Sequence, residues 1–331
     1  MPSTIRSRIA THTPAGLKRL IRSFWHGNKA TMSPPVRKRD EWAISIYRGS
    51  SPFCLAPADP THDPVLTKND VSDVSAGYVA DPFMLRVDGI WYMFFEVVNE
   101  HSKKGEIGLA TSADGLHWRY RQIVLDEPFH LSYPYVFQWQ DEVFMVPESC
   151  TTNSIRLYRA ASFPRRWSFV TSLVNSKDYV DPSLVHFDDK WWLFASSGKP
   201  PRRAENLHLF VADKLTGPWR EHPKSPVVTG DAAIARPGGR VFVFGDRVIR
   251  YTQDCASTYG RQVRAFEISN MTENSFVERL ASDEPVLKPR TGGWTEMGMH
   301  HIDPHLLEDG SWLACVDGWS WNTLSVTESN T

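Results

Sequence analysis

The sequence lacks the features that identify several common protein classes. Its four cysteines include no Cys-x-x-Cys pair, so neither a zinc-binding knuckle nor a dense disulfide framework is indicated. No hydrophobic run approaches the ~18 residues of a membrane span, and the N-terminus has no continuous apolar stretch like that of a secretory signal. We therefore expect a soluble chain. The sequence leaves its compartment open, with these absences favouring the cytoplasm.

An excess of charge of one sign is also missing. The 331 residues contain 37 Lys and Arg against 38 Asp and Glu, and they are 41% hydrophobic, which suits a globular protein with a full core. Because nucleic-acid-binding proteins normally carry a basic excess, we expect no nucleic-acid partner. Aromatic residues are abundant at 12%, alongside 20 Gly and 23 Pro, and this mixture favours short strands and tight turns over long helices.

The first 40 residues differ from the rest of the chain. They are rich in Lys and Arg, and apolar residues recur there at helical spacing: Leu17, Leu20, Ile21, Phe24 and Trp25. Three interpretations stay open: a disordered arm with a nascent helix, a helix that docks on a membrane surface or a partner, and an organelle-targeting peptide. We predict a flexible basic arm at 1–40, a main domain at 41–320 and a flexible tail at 321–331.

One hairpin pattern recurs along the main domain. It begins with a dipeptide ending in Pro, alternates apolar residues, turns on Asp or Gly and continues as an aromatic strand. Copies begin at Asp81, Tyr133, Asp181 and Asp303, and a weaker copy begins at Arg236. In chain order, a further alternating strand follows each of the first four hairpins, at 107–118, 155–167, 207–219 and 263–276. The fifth hairpin has no such partner downstream, but the segment AISIYRGSSPFCL at 43–55 matches it.

Five four-stranded units, the last completed by N-terminal strands, predict an all-β fold, a five-bladed β-propeller. Joining the two ends of the chain in one blade removes exposed sheet edges. An open β-sandwich with the same number of strands is the alternative, but it does not explain the split fifth unit. The period-2 alternation excludes a helical bundle.

Propeller geometry turns this spacing into a candidate site. The first strand of each blade lines the central channel and the second runs back beside it, so the start of one and the end of the other share a rim. The starts hold Asp81, Tyr133, Asp181, Asp303 and, in the weaker copy, the segment 236–240. The ends hold Glu96, Glu148, Ser196, Asp317 and, in the weaker copy, Gln253 and Asp254, while His130, His300 and His301 lie directly upstream of a start. We predict that these residues converge at one mouth of the channel.

Each of these residues also has an ordinary structural explanation. An Asp before Pro is a common device at the start of a strand, and a Glu at a strand end is commonly just a solvated acid. The cluster His300, His301, Asp303 and His305 resembles a metal-binding set, but alternation sends neighbours to opposite faces, so we predict no metal and no cofactor. The coincidence at one rim is what favours a function, because a narrow channel rarely collects unpaired acids without a use.

Several motifs strongly resemble the N-terminal domain of plant glucosamine inositolphosphorylceramide transferases. They include VSAGYVADPF, GEIGLATSADGLHW, QDCASTYGRQVR and MHHIDPH, and the resemblance covers about 42–318. In the plant proteins this domain precedes a separate glycosyltransferase domain that adds sugar to a sphingolipid. That second domain has no counterpart in this sequence, so we expect the lipid-glycosylating activity itself not to carry over and expect a glycosyltransferase as a partner.

More distantly, the layout is similar to the five-bladed glycoside hydrolases of family 43. That resemblance implies a general base at Asp81 and an orienting Asp at Asp181, but the general acid that opens the fourth blade has no match, because 235–240 reads ARPGGR. Glycoside cleavage needs a proton donor, and Glu148 is the best substitute, with Glu96 next. Arg236 and Arg240 in place of the acid suggest an anionic group on the substrate, and related phosphorylases hold phosphate with basic residues.

Two hypotheses follow. The first is a carbohydrate-active enzyme that makes or breaks a glycosidic bond on a glycan or a sugar phosphate, with Asp81 as base or nucleophile, Asp181 positioning and Glu148 donating a proton. Its substrate-binding residues would be Glu96, His130, Tyr133, Arg236, Arg240, Gln253, Asp254, His300, His301 and Asp303. The second is a glycan-binding propeller without catalysis that works beside a glycosyltransferase. The two Asp residues favour the enzyme, and the missing fourth-blade Glu favours binding alone.

Overall fold

The computed structural model describes residues 37–175, 177–197 and 204–324. Most of the predicted basic arm and the end of the predicted tail lie outside these residues, so the arm's three interpretations and the domain boundaries stay predictions. Three short 3-10 helices occur among the described residues, at Pro60–His62, Lys68–Asp70 and Cys150–Thr152. None of the helices in the described part of the chain is long and apolar enough to cross a membrane.

Strands make up the rest of the regular structure. In chain order they are β1 (Arg37–Ser51), β2 (Cys54–Pro57), β3 (Ala76–Val87), β4 (Ile90–Asn99), β5 (Lys104–Ser112), β6 (Arg119–Leu125), β7 (Ser132–Trp139), β8 (Glu142–Glu148), β9 (Ser154–Ser162), β10 (Arg166–Asn175), β11 (Val180–Phe187), β12 (Lys190–Ser197), β13 (Asn206–Ala212), β14 (Arg220–Glu221), β15 (Arg236–Pro237), β16 (Phe242–Phe244), β17 (Arg247–Gln253), β18 (Val263–Thr272), β19 (Ser275–Leu280), β20 (Ile302–Leu306) and β21 (Trp312–Leu324).

These strands form five antiparallel sheets, the blades of a β-propeller. Blade 1 is β3-β4-β5-β6, blade 2 is β7-β8-β9-β10 and blade 3 is β11-β12-β13-β14. Blade 4 is β15-β17-β18-β19 with β16 also paired to β17. Blade 5 is β20-β21-β1-β2, so N-terminal strands complete a sheet begun by C-terminal ones. The predicted five-bladed propeller with a split last blade is confirmed.

The cores lie between neighbouring blades. Phe83 and Phe94 of blade 1 belong to one buried cluster with Tyr135 of blade 2 and Leu193 of blade 3, and Ile46 of blade 5 packs with blade 1 in another. Period-2 alternation supplies side chains to both faces of each sheet, so every blade fills the space toward two neighbours. The aromatic residues that are abundant in the sequence serve mainly as this packing. The four cysteines, all within the described residues, form no disulfide.

The first three blades share a distinctive start. Asp81, Tyr133 and Asp181, each followed by Pro, have φ values of 55°, 45° and 51°, and the pairing of the first two strands skips register at each of these points. Pro cannot donate a hydrogen bond to the ladder, and the chain bulges there. Asp303, also followed by Pro, instead pairs with Cys315 in unbroken register. The Asp-Pro copies therefore have two different backbone conformations.

Strand register brings the predicted positions to one rim. The cross-strand partners are Ala80 with Glu96, Ser132 with Glu148, Val180 with Ser196, Arg236 with Gln253 and Ile302 with Val316. In each blade the end of the second strand thus lies beside the start of the first. We call this end of the channel the mouth and define it by Asp81, Glu96, Glu148, Asp181 and Asp317.

Candidate functional site

Asp81 is the least partnered acid of the mouth. Its carboxylate Oδ1 lies 3.8 Å from His300 Nε2 and 3.8 Å from His301 Nδ1, and no side chain in the described ranges hydrogen-bonds with it. Burial raises the pKa of Asp81 well above its usual range, and the neighbouring Asp317 raises it further. The backbone N–H of Asp81 donates to Asp317 Oδ2 at 2.9 Å, which holds the bulge against blade 5.

The two histidines beside Asp81 have different surroundings. His300 is held by Asp317, whose Oδ1 lies 2.7 Å from His300 Nδ1. Burial alone would raise the pKa of Asp317, but His300 and His301 hold it below its ordinary value. His301 is fully buried, and neither ring nitrogen has a hydrogen-bond partner within the described part of the chain. Burial lowers the pKa of His301 to about 4, so its imidazole is neutral near pH 7.

Glu148 and Asp181 form the second acidic part of the mouth. The backbone N–H of Asp181 donates to Glu148 Oε2 at 3.2 Å, so the bulge of blade 3 is tied to the end of a blade 2 strand. Burial raises the pKa of Glu148 to about 8, the charge of Asp181 raises it too, and Arg236 opposes the shift. This shift favours the protonated form of Glu148 near neutral pH.

Arg236 lies against Asp181 rather than in open solvent. Its Nε and Nη2 bond to the two carboxylate oxygens of Asp181 at 2.5 and 3.3 Å, and Gln253 Nε2 donates to the same carboxylate at 2.9 Å. The guanidinium lies 5.0 Å from the ring centre of Tyr259. Asp181 thus has a fixed orientation and a compensated charge, as a positioning residue for Glu148 would need.

Glu96 is linked to His130 at the edge of the mouth. His130 Nδ1 accepts a hydrogen bond from the backbone N–H of Gly105 at 2.8 Å, which leaves Nε2 to donate to Glu96 Oε1 at 3.2 Å. This bond raises the pKa of His130, against the effect of burial. A Cβ on Gly105 would lie 2.2 Å from Leu131 O and 2.9 Å from Glu96 Oε1, so only glycine permits this approach. Tyr78 also donates to Glu96, at 3.4 Å.

A second polar group lies deeper in the channel, and we call Tyr133, Arg240 and Asp303 the inner layer. The Tyr133 hydroxyl contacts Ser183 Oγ and the backbone of Gly239 at 2.7–2.9 Å. Arg240 pairs with Asp303 and donates to the carbonyl of Val136 at 2.9 Å. These groups bridge the first strands of different blades.

The inner layer has its partners already. Asp303 also accepts from the backbone N–H of Met84 at 2.5 Å and lies 3.0 Å from His305 Nε2. Burial alone would raise the pKa of Asp303, but Arg240 and His305 hold it well below its usual range. The structure therefore favours a structural role for Tyr133, Arg240 and Asp303 over the predicted contact with substrate. Arg240 uses Nε and Nη2 for Asp303 and for the carbonyl groups of Met84 and Val136.

Of the two remaining predicted residues, Gln253 belongs to the mouth and Asp254 does not. Gln253 is buried and orients Asp181, so it belongs to the mouth. Asp254 accepts from the backbone N–H of Ala256 and from Gln262 Nε2, contacts that shape its own loop and leave it outside the cluster of acids.

Three aromatic residues near the mouth are missing from the sequence-based site. Trp42 stacks on His300 with ring centres 4.3 Å apart, Tyr259 meets the same ring at 5.4 Å and Tyr78 reaches Glu96. Tyr259 is 45% exposed. Tyr78 and Tyr259 both lie inside motifs that were used for the resemblance. The strand-and-turn repeat marks only the starts of first strands and the ends of second strands, and none of these three residues is at such a position.

Comparisons with known proteins agree with this architecture. Glucosamine inositolphosphorylceramide transferase 1 of Oryza sativa subsp. japonica is 37% identical over 298 residues, covering 84% of this chain, and the Arabidopsis thaliana protein of the same name is 32% identical over 313 residues, covering 88%. This chain spans about 40% of the length of these curated relatives.

Solved structures share the fold at low sequence identity. A β-1,2-mannobiose phosphorylase from Listeria innocua superposes with a TM-score of 0.59 at 12% identity, over 82% of this chain and 96% of its own. A glycosyl hydrolase from Bacteroides ovatus superposes with a TM-score of 0.57 at 11% identity, over 78% and 92%. At such identities the likeness shows the five-bladed fold.

The family assignment rests on the sequence match instead. The family model described as glucosamine inositolphosphorylceramide transferase 1, N-terminal, matches residues 37–319, which include all five blades and every residue of the mouth. The chain belongs to this family.

Proposed function

We propose that this propeller is a carbohydrate-active enzyme that makes or breaks a glycosidic bond at its mouth. The observation that carries the proposal is Glu148, a buried carboxyl group whose pKa is raised to about 8, in a channel mouth that also contains Asp81. Glycoside hydrolysis commonly uses a proton donor on the leaving oxygen and a second carboxyl group across the reacting bond. The names of the plant relatives, which contain a sugar and a transferase, agree with this class.

Glu148 would act as the proton donor. A general acid must be protonated at the working pH and able to release its proton to the departing oxygen. Burial and the neighbouring Asp181 keep Glu148 protonated, and Asp181, fixed by Arg236 and Gln253, would hold it in position. This arrangement supplies the function of the fourth-blade Glu that the sequence lacks.

Asp81 would be the opposing carboxyl group, as base or nucleophile. It lies on blade 1, and the charges of Asp317, Glu96 and Asp181 all act on it. Its carboxylate accepts no hydrogen bond from the described residues, so it is available to a substrate or a water molecule.

An anionic group on the substrate would be bound by Arg236. Arg236 uses Nε and Nη2 for Asp181 and makes no hydrogen bond through Nη1 in the described ranges. One partly compensated guanidinium suits a single phosphate or carboxylate better than a polyanion. A sugar phosphate, an acidic sugar or an activated donor remains the proposed substrate class, with Tyr259 beside Arg236 as a surface for ring stacking.

The test is turnover by the full chain on a panel of glycosides, sugar phosphates and nucleotide sugars. We expect Glu148→Gln to lower turnover about a hundred- to ten-thousand-fold, because the proton donor is lost. Glu142→Gln is the matched control, since Glu142 lies on the same strand β8 but is exposed and pairs with Arg159. Full activity in Glu148→Gln would remove Glu148 from the mechanism, and full activity in Asp81→Asn would overturn the proposal as a whole.

A glycan-binding propeller without catalysis is the second candidate. Arg236 stands where related hydrolases would place an acid, and it already neutralises Asp181. This function predicts that a glycan raises the melting temperature of the wild type and of Asp81→Asn equally, with no turnover of any donor. It also keeps the predicted glycosyltransferase partner, which would carry out the transfer.

A further inference from the structure

We propose that Asp81, His300 and His301 form a binding site for one divalent transition-metal ion such as zinc. We call these three residues the cation pocket. The inference goes beyond the proposed function and does not depend on it, because cation binding is measured without turnover.

The first observation is the spacing of the donor atoms. Asp81 Oδ1 lies 3.8 Å from His300 Nε2 and 3.8 Å from His301 Nδ1. These separations are too long for hydrogen bonds. They fit two donors on a common ion, because donors about 2.1 Å from a metal lie at most about 4.2 Å apart.

The second observation is the unpartnered histidine. His301 is fully buried, and its two ring nitrogens have no hydrogen-bond partner in the part of the chain that the structure describes. Its ring is enclosed by Phe83 and Tyr133, whose ring centres lie 4.5 and 5.2 Å away. A buried imidazole without a partner is costly and uncommon, and a bound cation at Nδ1 would account for it.

The third observation is the orientation of His300. Asp317 holds Nδ1 at 2.7 Å, so the other nitrogen, Nε2, faces Asp81 with its lone pair available. A carboxylate behind a histidine is the usual arrangement at metal sites, where it fixes the tautomer and raises the basicity of the ligand. Ligand atoms of Asp81, His300 and Asp317 all lie within 4.8 Å of one another, and His301 is joined to this group by the 3.8 Å between its Nδ1 and Asp81 Oδ1.

The ligand chemistry narrows the kind of ion. Two imidazoles and one carboxylate suit zinc and its first-row neighbours better than magnesium or calcium, which prefer oxygen. Three protein ligands leave a coordination position open, as catalytic rather than structural sites do. A water molecule or a substrate oxygen would take that position, and the ion would hold Asp81 in its ionised form.

Cation titration of the full chain, after removal of metal by a chelator, tests the proposal. We expect calorimetry to show one bound zinc per chain. Cobalt should give the visible absorption of a site with nitrogen ligands. Asp81→Asn and His301→Phe should each weaken binding at least tenfold. Asp317→Asn, which replaces the carboxylate behind His300 by a neutral amide, should weaken it about 10–100-fold. His305→Gln is the control, because His305 lies on the neighbouring strand β20 but faces Asp303, and it should bind like the wild type.

Two results would overturn the proposal: no binding to folded wild type at millimolar cation, or equal binding by the wild type and both ligand variants. Circular dichroism establishes that each variant is folded. If a variant fails to fold, a crystal of the cobalt-loaded wild type decides. An anomalous peak between Asp81 and the two histidines would support the site, and a peak elsewhere or none would exclude it.

Discussion

The mouth and the inner layer each contain an Asp-Pro dipeptide, but the two Asp carboxylates have opposite surroundings. Asp81 and Asp303 both precede Pro at the start of a blade's first strand. Asp303 is paired with Arg240, contacted by His305 and bound to the backbone of Met84, and its pKa is lowered. The carboxylate of Asp81 has no such bond among the described residues, and its pKa is raised.

The difference separates structure from function within one channel. Where every polar group has a partner, a buried charge joins blades and cannot bind anything else. Where partners are missing, burial leaves carboxyl and imidazole groups that can exchange a proton or receive a ligand. The two arginines differ in their partners: Arg236 pairs with Asp181 of the mouth, whereas Arg240 pairs with Asp303 and also donates to the backbone carbonyls of Met84 and Val136.

The largest effect should come from the inner layer. Arg240→Met leaves Asp303 buried without its main partner, and we expect the free energy of unfolding to fall by about 3–5 kcal/mol in chemical denaturation. Arg48→Met is the control, because the Arg48–Asp309 pair is exposed and its loss should cost less than about 1 kcal/mol. Equal losses in the two variants would mean that the inner layer does not hold the blades together.

The mouth should respond to pH instead. Between its ordinary pKa of 4.5 and its raised value of about 8, Glu148 keeps its proton in the folded chain and releases it in the unfolded one, so the wild type loses stability as pH rises through this window. Glu148→Gln has no proton to release. We expect its melting temperature, relative to the wild type, to increase from about pH 5 to about pH 9.

The exposed Glu142→Gln variant controls for this comparison, and its difference from the wild type should stay constant with pH. A constant difference for Glu148→Gln as well would show that Glu148 is not held protonated by the fold.

The smallest expected effect concerns the packing of Gly260 against His300 beside the mouth. Gly260 has a φ of +60°, and a Cβ there would lie 2.6 Å from the Cβ of His300. Gly245 has a similar φ of +67° with nothing within 4 Å of its Cβ position, so Gly245→Ala carries only the backbone strain. We expect Gly260→Ala to lose about 1–3 kcal/mol more than Gly245→Ala in unfolding experiments, because the added methyl group displaces His300. Equal losses would show that the Gly260 loop yields freely.

The repeat made the fold predictable and the site only partly so. Alternation, turn residues and the matching segment at 43–55 predict five blades and their closure, because a sheet edge must find a partner. The same spacing places Glu148 beside Ser132 at the start of its own blade, since strand register is a local property, whereas the contact of Glu148 with Asp181 joins two blades. Arg236 and Arg240 look equivalent at this level, four residues apart in ARPGGR.

The separate roles of Arg236 and Arg240 could not be predicted from spacing. Each role depends on which strand of another blade lies opposite the arginine. Such contacts join residues far apart in the chain, such as Arg240 with Met84 and Val136. The same holds for Tyr133, whose hydroxyl finds its partners on blades 3 and 4. Periodicity predicts which face of its own blade a side chain lies on. It does not predict which residues of a neighbouring blade that side chain contacts.

The amino-acid sequence was thus sufficient for the number of blades, the split last blade and the rim on which the acids gather, since these follow from local alternation and from the cost of an unpaired edge. Only the closed propeller determines which of those acids have an ion-pair or hydrogen-bond partner. Only when five first strands surround one narrow channel does Asp303 pair with an arginine, while the Asp81 carboxylate and the His301 ring are buried without a hydrogen bond among the described residues. Burial and pairing are properties of that assembled channel, and they set which carboxyl groups keep a proton.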